Sequence, residues 1–387
     1  MLSVIYLFFL GAGVSGAMLG AAWPSMYEEL GVPDSWLGII SMIMMGFCAV
    51  ASLLSTNVSK KVRTSVIIVT CFLVIAFSYI GFSLTTAFLV LCLIAVPLGI
   101  GTGLTDAIVN NFLATNFEAR HMNWGHCMWA FGSALGPLIL AVGLTSSGSW
   151  QWGFLVAGCG LIVFVIYMFV TMRFWKNIAD TREQTAVANN RSEKLDYRSI
   201  LAIPGVKAAI VTIFLYISLE MTIGVWGSTY LVFTKGISPD IAAGWISLFF
   251  VGAMLGRIAS GFLTIKLSNL ALVKLGVIIC ATGIVIFMLP LRNEVLIAGL
   301  ILIGFGGGPI MPSLFHETPR LFGKENSQPI ISLQVSGSFA GSTIAPPIFG
   351  AITSNLGYQI FPIYIAVTLV LLIVLIFLLY RSRKAYL

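Results

Sequence analysis

Twelve stretches of this chain are each apolar over about the 20 residues that a bilayer-spanning helix needs, and that repetition limits the fold more than any other feature. They lie near 3–27, 36–57, 65–85, 87–114, 122–145, 151–172, 205–233, 240–264, 270–290, 294–317, 327–354 and 357–380. Hydrocarbon offers no partner to a backbone N–H or C=O, so such a run crosses it as a helix. The period-two alternation of a membrane β-barrel is absent. Only 9% of residues are charged and mean hydropathy is +1.01, whereas soluble domains carry about 25% charge. The first stretch starts at Met1 with no basic leader or small-residue cleavage site, and is expected to be a retained helix. The fold class expected is an all-α membrane protein with twelve transmembrane helices.

The net charge of +7 is unevenly spread. Of 21 basic residues, 18 fall in the tail and in or just beyond the loops after even-numbered stretches; Lys235 and Arg292 lie on the opposite side, and Arg257 lies inside the eighth stretch. By the positive-inside rule both termini are cytoplasmic, and the chain is a multi-pass protein of the plasma (cytoplasmic) membrane, an inner membrane where a cell has two. The basicity is thus a topology signal. No soluble basic face with stacking aromatics exists, so no nucleic-acid partner is expected. The six cysteines lie singly in apolar stretches without metal-ligand or redox spacing.

One long polar break, 173–203, divides the chain into an N-terminal six-helix half (1–172) and a C-terminal one (204–387). Asn189, Asn190, Arg191, Ser192 and Glu193 form its middle, and a short interfacial helix is expected around Lys194–Leu201. The halves repeat each other. GVPDSWLGIISMIMMG (31–46) matches GISPDIAAGWISLFFVG (236–252), setting Gly38, Ser41 and Gly46 on Gly244, Ser247 and Gly252. GIGTG (99–103) matches GFGGG (304–308), and GSALGP (132–137) matches GSTIAP (341–346). Glycines so spaced let helix backbones approach closely in lipid. No Lys-Ser/Thr follows them as in a phosphate loop, and no zinc, Ser-His-Asp or paired-carboxylate signature occurs, so the chain is not expected to be an enzyme. Two parallel pseudo-symmetric six-helix halves resemble the plan of major facilitator transporters, whose ligand site lies near mid-membrane between the halves.

Twelve of the fourteen acids sit in loops or at helix ends; Asp106 and Glu220 are deep. An Asp at membrane depth costs about 2.5–3.5 kcal/mol on insertion scales, so it marks a pathway more often than a packing position. Asp106 and Asn110 are four apart and share a helix face. A desolvated carboxyl can exchange a proton near neutrality, and the amide can both donate to and accept from hydroxyls. The plainer alternative is an interhelical hydrogen bond linking Asp106 to Asn110 or His126. His126 opens the fifth stretch with Asn123 one turn before it and Trp129 one turn after. Trp129 and Trp226 are either lipid-facing belt residues or stacking surfaces for a sugar ring. Gln334 and Ser338 share a face of the eleventh stretch, as sugar ligands or as helix–helix hydrogen-bonders. Glu317, with His316 beside it, is expected in an intracellular latch with Arg320; Arg120 is a further gating candidate.

LTDAIVNNF followed by NWGHCMWAFG resembles the helix 4–5 signature of the fucose-permease-like branch of the major facilitators. The resemblance implies proton coupling at Asp106 and sugar contacts at Asn110, Asn123, His126 and Trp129, with Gly132 closing the pattern. LEMTIGVWGSTYL is similar to the seventh helix of that branch, which implies roles for Glu220, Gly224, Trp226 and Tyr230. The chain departs from the pattern where the fucose carrier has an acid four residues before a proline, because Gly20 precedes Pro24 here. STNVSKKVRT keeps only the basic residues of the usual gating motif, and Arg257 in GAMLGRIASGF is its better-preserved copy, expected as a gate at the cytoplasmic end of the eighth helix.

The expected function is secondary active transport, a proton-coupled symport of a hexose-like sugar or related small polar solute by a monomer that uses no cofactor beyond its coupling ion, proton or sodium. A proton-coupled drug or metabolite efflux antiporter on the same fold is the alternative, since one scaffold hosts many substrates. A non-transporting receptor would not need two buried carboxylates.

Overall fold

A computed structural model of the chain describes residues 2–33, 36–147, 149–188, 197–237, 239–289 and 291–383. In chain order the helices are α1 (Leu2–Glu29), α2 (Leu37–Ser59), α3 (Thr64–Ser83), α4 (Phe88–Asn116), α5 (Ala119–Ser147), α6 (Trp150–Ala188), α7 (Tyr197–Ala202), α8 (Val206–Lys235), α9 (Pro239–Leu263), α10 (Asn269–Met288), α11 (Asn293–Gly307), α12 (Ile310–Phe322), α13 (Lys324–Leu356) and α14 (Phe361–Arg383). No strand occurs among the described residues. Eleven spans among them are long and apolar enough to cross a membrane. The tenth expected stretch is two helices in one span: Pro309 has no N–H to continue the ladder, so α11 stops at Gly307 and α12 restarts at Ile310. The eleventh stretch is α13, whose 33 residues suffice in length but carry too many serines, threonines and amides to count among the eleven.

Two expectations about the central break change. α6 does not stop at 172 but runs 39 residues to Ala188, because no glycine or proline interrupts the chain there. The short helix lies at Tyr197–Ala202, and Lys194 and the polar run 189–193 lie outside the described residues.

Contacts divide the chain into two compact units, Met1–Phe112 with Gly125–Leu195, and Leu113–Trp124 with Asp196–Leu387. The turn between α4 and α5 therefore packs with the second unit, a placement that a division at 172 and 204 does not anticipate. In the first unit α6 packs on α3 and α1; in the second, α8 packs on α13 and α14, and α11 on α9 and α10.

Backbone approach at glycine reveals the internal repeat more sharply than the letters do. A Cβ on Gly99 would lie 2.4 Å from the Met44 carbonyl oxygen, and one on Gly103 2.1 Å from that of Cys48. Their counterparts Gly304 and Gly308 meet the Phe249 and Ala253 carbonyls at 2.0 and 2.5 Å. Met44 and Cys48 thus correspond to Phe249 and Ala253, one residue out of step with the match that set Gly46 on Gly252. Gly132 and Gly136 of α5 meet the carbonyls of Leu10 and Val14 on α1, while Gly337 and Gly341 of α13 meet those of Ile210 and Phe214 on α8. GSALGP therefore corresponds to GSFAGS (337–342), one helical turn before GSTIAP. Small residues recur every four positions along α13, so the sequence match can slip a whole turn; only the contacts fix it.

Candidate functional site

α4 and α5 meet in the first unit at a short polar chain. The Asn110 amide nitrogen donates to the Asp106 carboxylate Oδ1 at 2.8 Å and to the Asp106 backbone carbonyl at 2.9 Å, and Asn110 Oδ1 lies 3.0 Å from His126 Nε2. The four-residue spacing brings Asp106 and Asn110 together within one helix, while the third contact crosses from α4 to α5. Asn110 is fully buried and His126 is 6% exposed, with its ring against Phe9 of α1 at a centroid distance of 4.9 Å. Asp106 itself is half-buried, and Asn110 is its sole hydrogen-bond partner among the described residues. One carboxylate oxygen is committed to the protein and the other is not.

In the second unit Glu220 of α8 and Arg257 of α9 form an ion pair, Oε1 to Nη2 at 3.1 Å, with side-chain exposures of 7% and 6%. Tyr216, Phe249, Ala253 and Cys280 surround Glu220 in a small apolar cavity. Arg257, expected as a gate at its helix end, is the counter-ion of the other deep acid, so two residues given separate tasks form one unit. Six residues follow Arg257 before α9 ends at Leu263, which puts it well inside the helix.

Most other candidates are engaged elsewhere. Asn123 is fully buried, accepts from Ser260 Oγ at 2.6 Å and donates to the Ala119 carbonyl at 3.1 Å. Gln334 accepts from Thr318 Oγ1 at 3.0 Å, and Ser338 donates to the Val335 carbonyl one turn back. Trp226 donates from its indole N–H to the Pro346 carbonyl at 2.8 Å and packs against Phe349 and Tyr358. Tyr230 is buried and stacks on Phe361 at 5.0 Å. Trp129 is half-buried on α5, its carbonyl pressed against Gly13 of α1. Glu317 accepts from Arg320 at 3.1 Å and from Asn269 at 2.8 Å, while His316 donates from Nε2 to the Phe117 carbonyl at 2.8 Å. Arg120 pairs with Glu118 at 2.8 Å beside a cleft of about 380 Å³ lined also by Thr264, Ile265 and His316.

Phe9, Tyr216, Ser260, Asn269 and Thr318 were not among the candidates. Phe9, Ser260, Asn269 and Thr318 act through a partner on another helix, which no single strip of sequence names; Tyr216 stands four residues before Glu220 on α8, a spacing that could have flagged it.

The sequence profile described as Major Facilitator Superfamily matches residues 5–327 and, in a second alignment, 210–386. The chain belongs to the Major Facilitator Superfamily. Among solved members, the FucP transporter in its outward conformation superposes with a TM-score of 0.79 at 13% identity, covering 98% of both chains. The proton:xylose symporter XylE gives 0.76 at 13% identity over 98% of this chain and 94% of its own, and the human organic anion transporter MFSD10 gives 0.74 at 14% over 98% of both. The yeast (Saccharomyces cerevisiae) protein called "Bypass of stop codon protein 6" is 21% identical over 92% of this chain and 77% of its own length. These likenesses carry the fold: this superfamily member is a multi-pass integral membrane transporter, not an enzyme.

Proposed function

We propose that this transporter is a proton-coupled symporter that takes up a hexose-like sugar or a related small polar solute by alternating access. The observation that carries the reading is the half-buried Asp106, which lies within a membrane-spanning helix with one carboxylate oxygen left to a ligand or a proton. A carboxylate at that depth, tied to a neighbouring amide and through it to an imidazole, suits cycles of protonation linked to solute binding. In this reading Asp106 carries the coupling proton, His126 meets solute hydroxyls, and Trp129 supplies an apolar wall. Glu220 is already neutralised by Arg257, which ranks it behind Asp106 as a carrier of charge. FucP, described as a fucose:proton symporter, and XylE, a proton:xylose symporter, are consistent with this choice of substrate class. The uneven loop charge favours cytoplasmic termini in a plasma membrane, and one chain holds both halves of the transport unit, which suits a monomer.

Purified protein in liposomes, offered a panel of labelled sugars, is expected to accumulate at least one of them faster under an inward proton gradient. Uptake indifferent to both proton and sodium gradients would sink the coupling. An efflux antiporter is the alternative, since the fold, which the organic anion transporter MFSD10 also shares, fixes neither cargo nor direction. The Asp106–Asn110–His126 hydrogen-bonded cluster favours a polar solute over the apolar cargo of a drug exporter.

A further inference from the structure

We infer that Asn110 is a positioning residue whose amide holds His126 in its Nε2-protonated tautomer, whatever the charge on Asp106. Asn110 has no surface left for a solute: it is fully buried, and its amide nitrogen and oxygen are both bonded within the cluster. The direction of the amide follows from its two acceptors. Nδ2 faces the Asp106 carboxylate at 2.8 Å and the Asp106 backbone carbonyl at 2.9 Å. Turning the amide over would set Oδ1 against both, two acceptor–acceptor contacts at hydrogen-bond distance. Protonating Asp106 relieves the first of these contacts and leaves the second, because a backbone carbonyl never donates.

With Nδ2 fixed, Oδ1 is fixed toward His126, 3.0 Å from Nε2. An amide oxygen only accepts, so Nε2 carries the hydrogen. The neutral ring then has its lone pair at Nδ1, and any group that meets that edge, from protein or solute, has to donate. The lock thus sets what kind of partner His126 takes. It is a backbone device: its invariant member is the carbonyl of Asp106, while the side chain of the same residue remains able to change charge. Phe9 packs beside the imidazole, its ring tilted 50° to it at a centroid distance of 4.9 Å.

This inference deepens the reading of Asp106 as the coupling site, but its test needs no transport, so the two can fail separately. The chain has three histidines, His121, His126 and His316, which makes ¹⁵N-histidine NMR of the intact protein in lipid nanodiscs interpretable. The His126 signals are assigned by their loss in His126→Gln. At pH 8 the wild type is expected to show His126 as the Nε2-protonated neutral ring, and Asp106→Asn, which removes the charge, is expected to show the same tautomer. Asn110→Leu is expected to give a mixture of tautomers with the His121 and His316 signals unmoved. An Nδ1-protonated ring in the wild type overturns the inference, as does a reversed tautomer in Asp106→Asn or an unchanged one in Asn110→Leu. Should Asn110→Leu fail to fold, the wild-type and Asp106→Asn spectra still decide.

Discussion

Glu220 and Arg257 are each less than a tenth exposed, and each is the other's counter-ion. A buried pair contributes little compared with apolar residues of the same size, yet breaking it strands a charge at a cost of about 3–5 kcal/mol. Glu220→Gln or Arg257→Met alone is therefore expected to lower the unfolding temperature in detergent far more than the two together, as melting curves of the three variants would read. Equal losses in single and double variants would show that the pair is not the source. At Asp106 the expected effect is on coupling. Asp106→Asn should abolish gradient-driven accumulation while solute exchange persists; normal accumulation in that variant would make the carboxylate structural. Asp106 and Asn110 were legible in the sequence because their bond is local, four residues along one helix. The pairing of Glu220 with Arg257 was not, because it crosses between α8 and α9 and depends on how those helices are rotated.

Among the elements, the glycine-rich faces decide which helices touch. Gly304→Ala puts a methyl 2.0 Å from a backbone oxygen that no rotamer can move, and overpacking of this kind costs about 1–3 kcal/mol. Gly20 has nothing within 4 Å of its Cβ position, so Gly20→Ala should be neutral or stabilise by roughly 0.5–1 kcal/mol. The ordering of these two variants in a thermal melt checks the assignment of contacts, and the repeat adds that Gly103→Ala and Gly308→Ala should fall on the damaging side together. Helix existence was readable from apolar length alone. Register was not: spacing of small residues by four is the same after a slip of one turn, which is how GSALGP came to match GSTIAP instead of GSFAGS.

At the scale of the whole molecule, two units of contact and a superfamily profile that aligns twice describe one duplicated transporter. The loop charges predict that a C-terminal tag is shielded from membrane-impermeant labels in intact cells and labelled after permeabilisation; labelling without permeabilisation would reverse the orientation. Length and hydropathy by themselves determined the membrane class and the near-complete set of spans, since each depends on composition along the chain and on the cost of placing polar groups in lipid; matched glycine motifs showed the duplication, and resemblance pointed to the family. Only the tertiary structure decided that the α4–α5 turn packs with the second unit, that Arg257 answers Glu220, that Asn123 bonds Ser260, and that Asn110 meets His126. Each is a contact between helices, where an ångström of approach or a turn of register exchanges one polar partner for another, and no run of residues along a single helix records that choice.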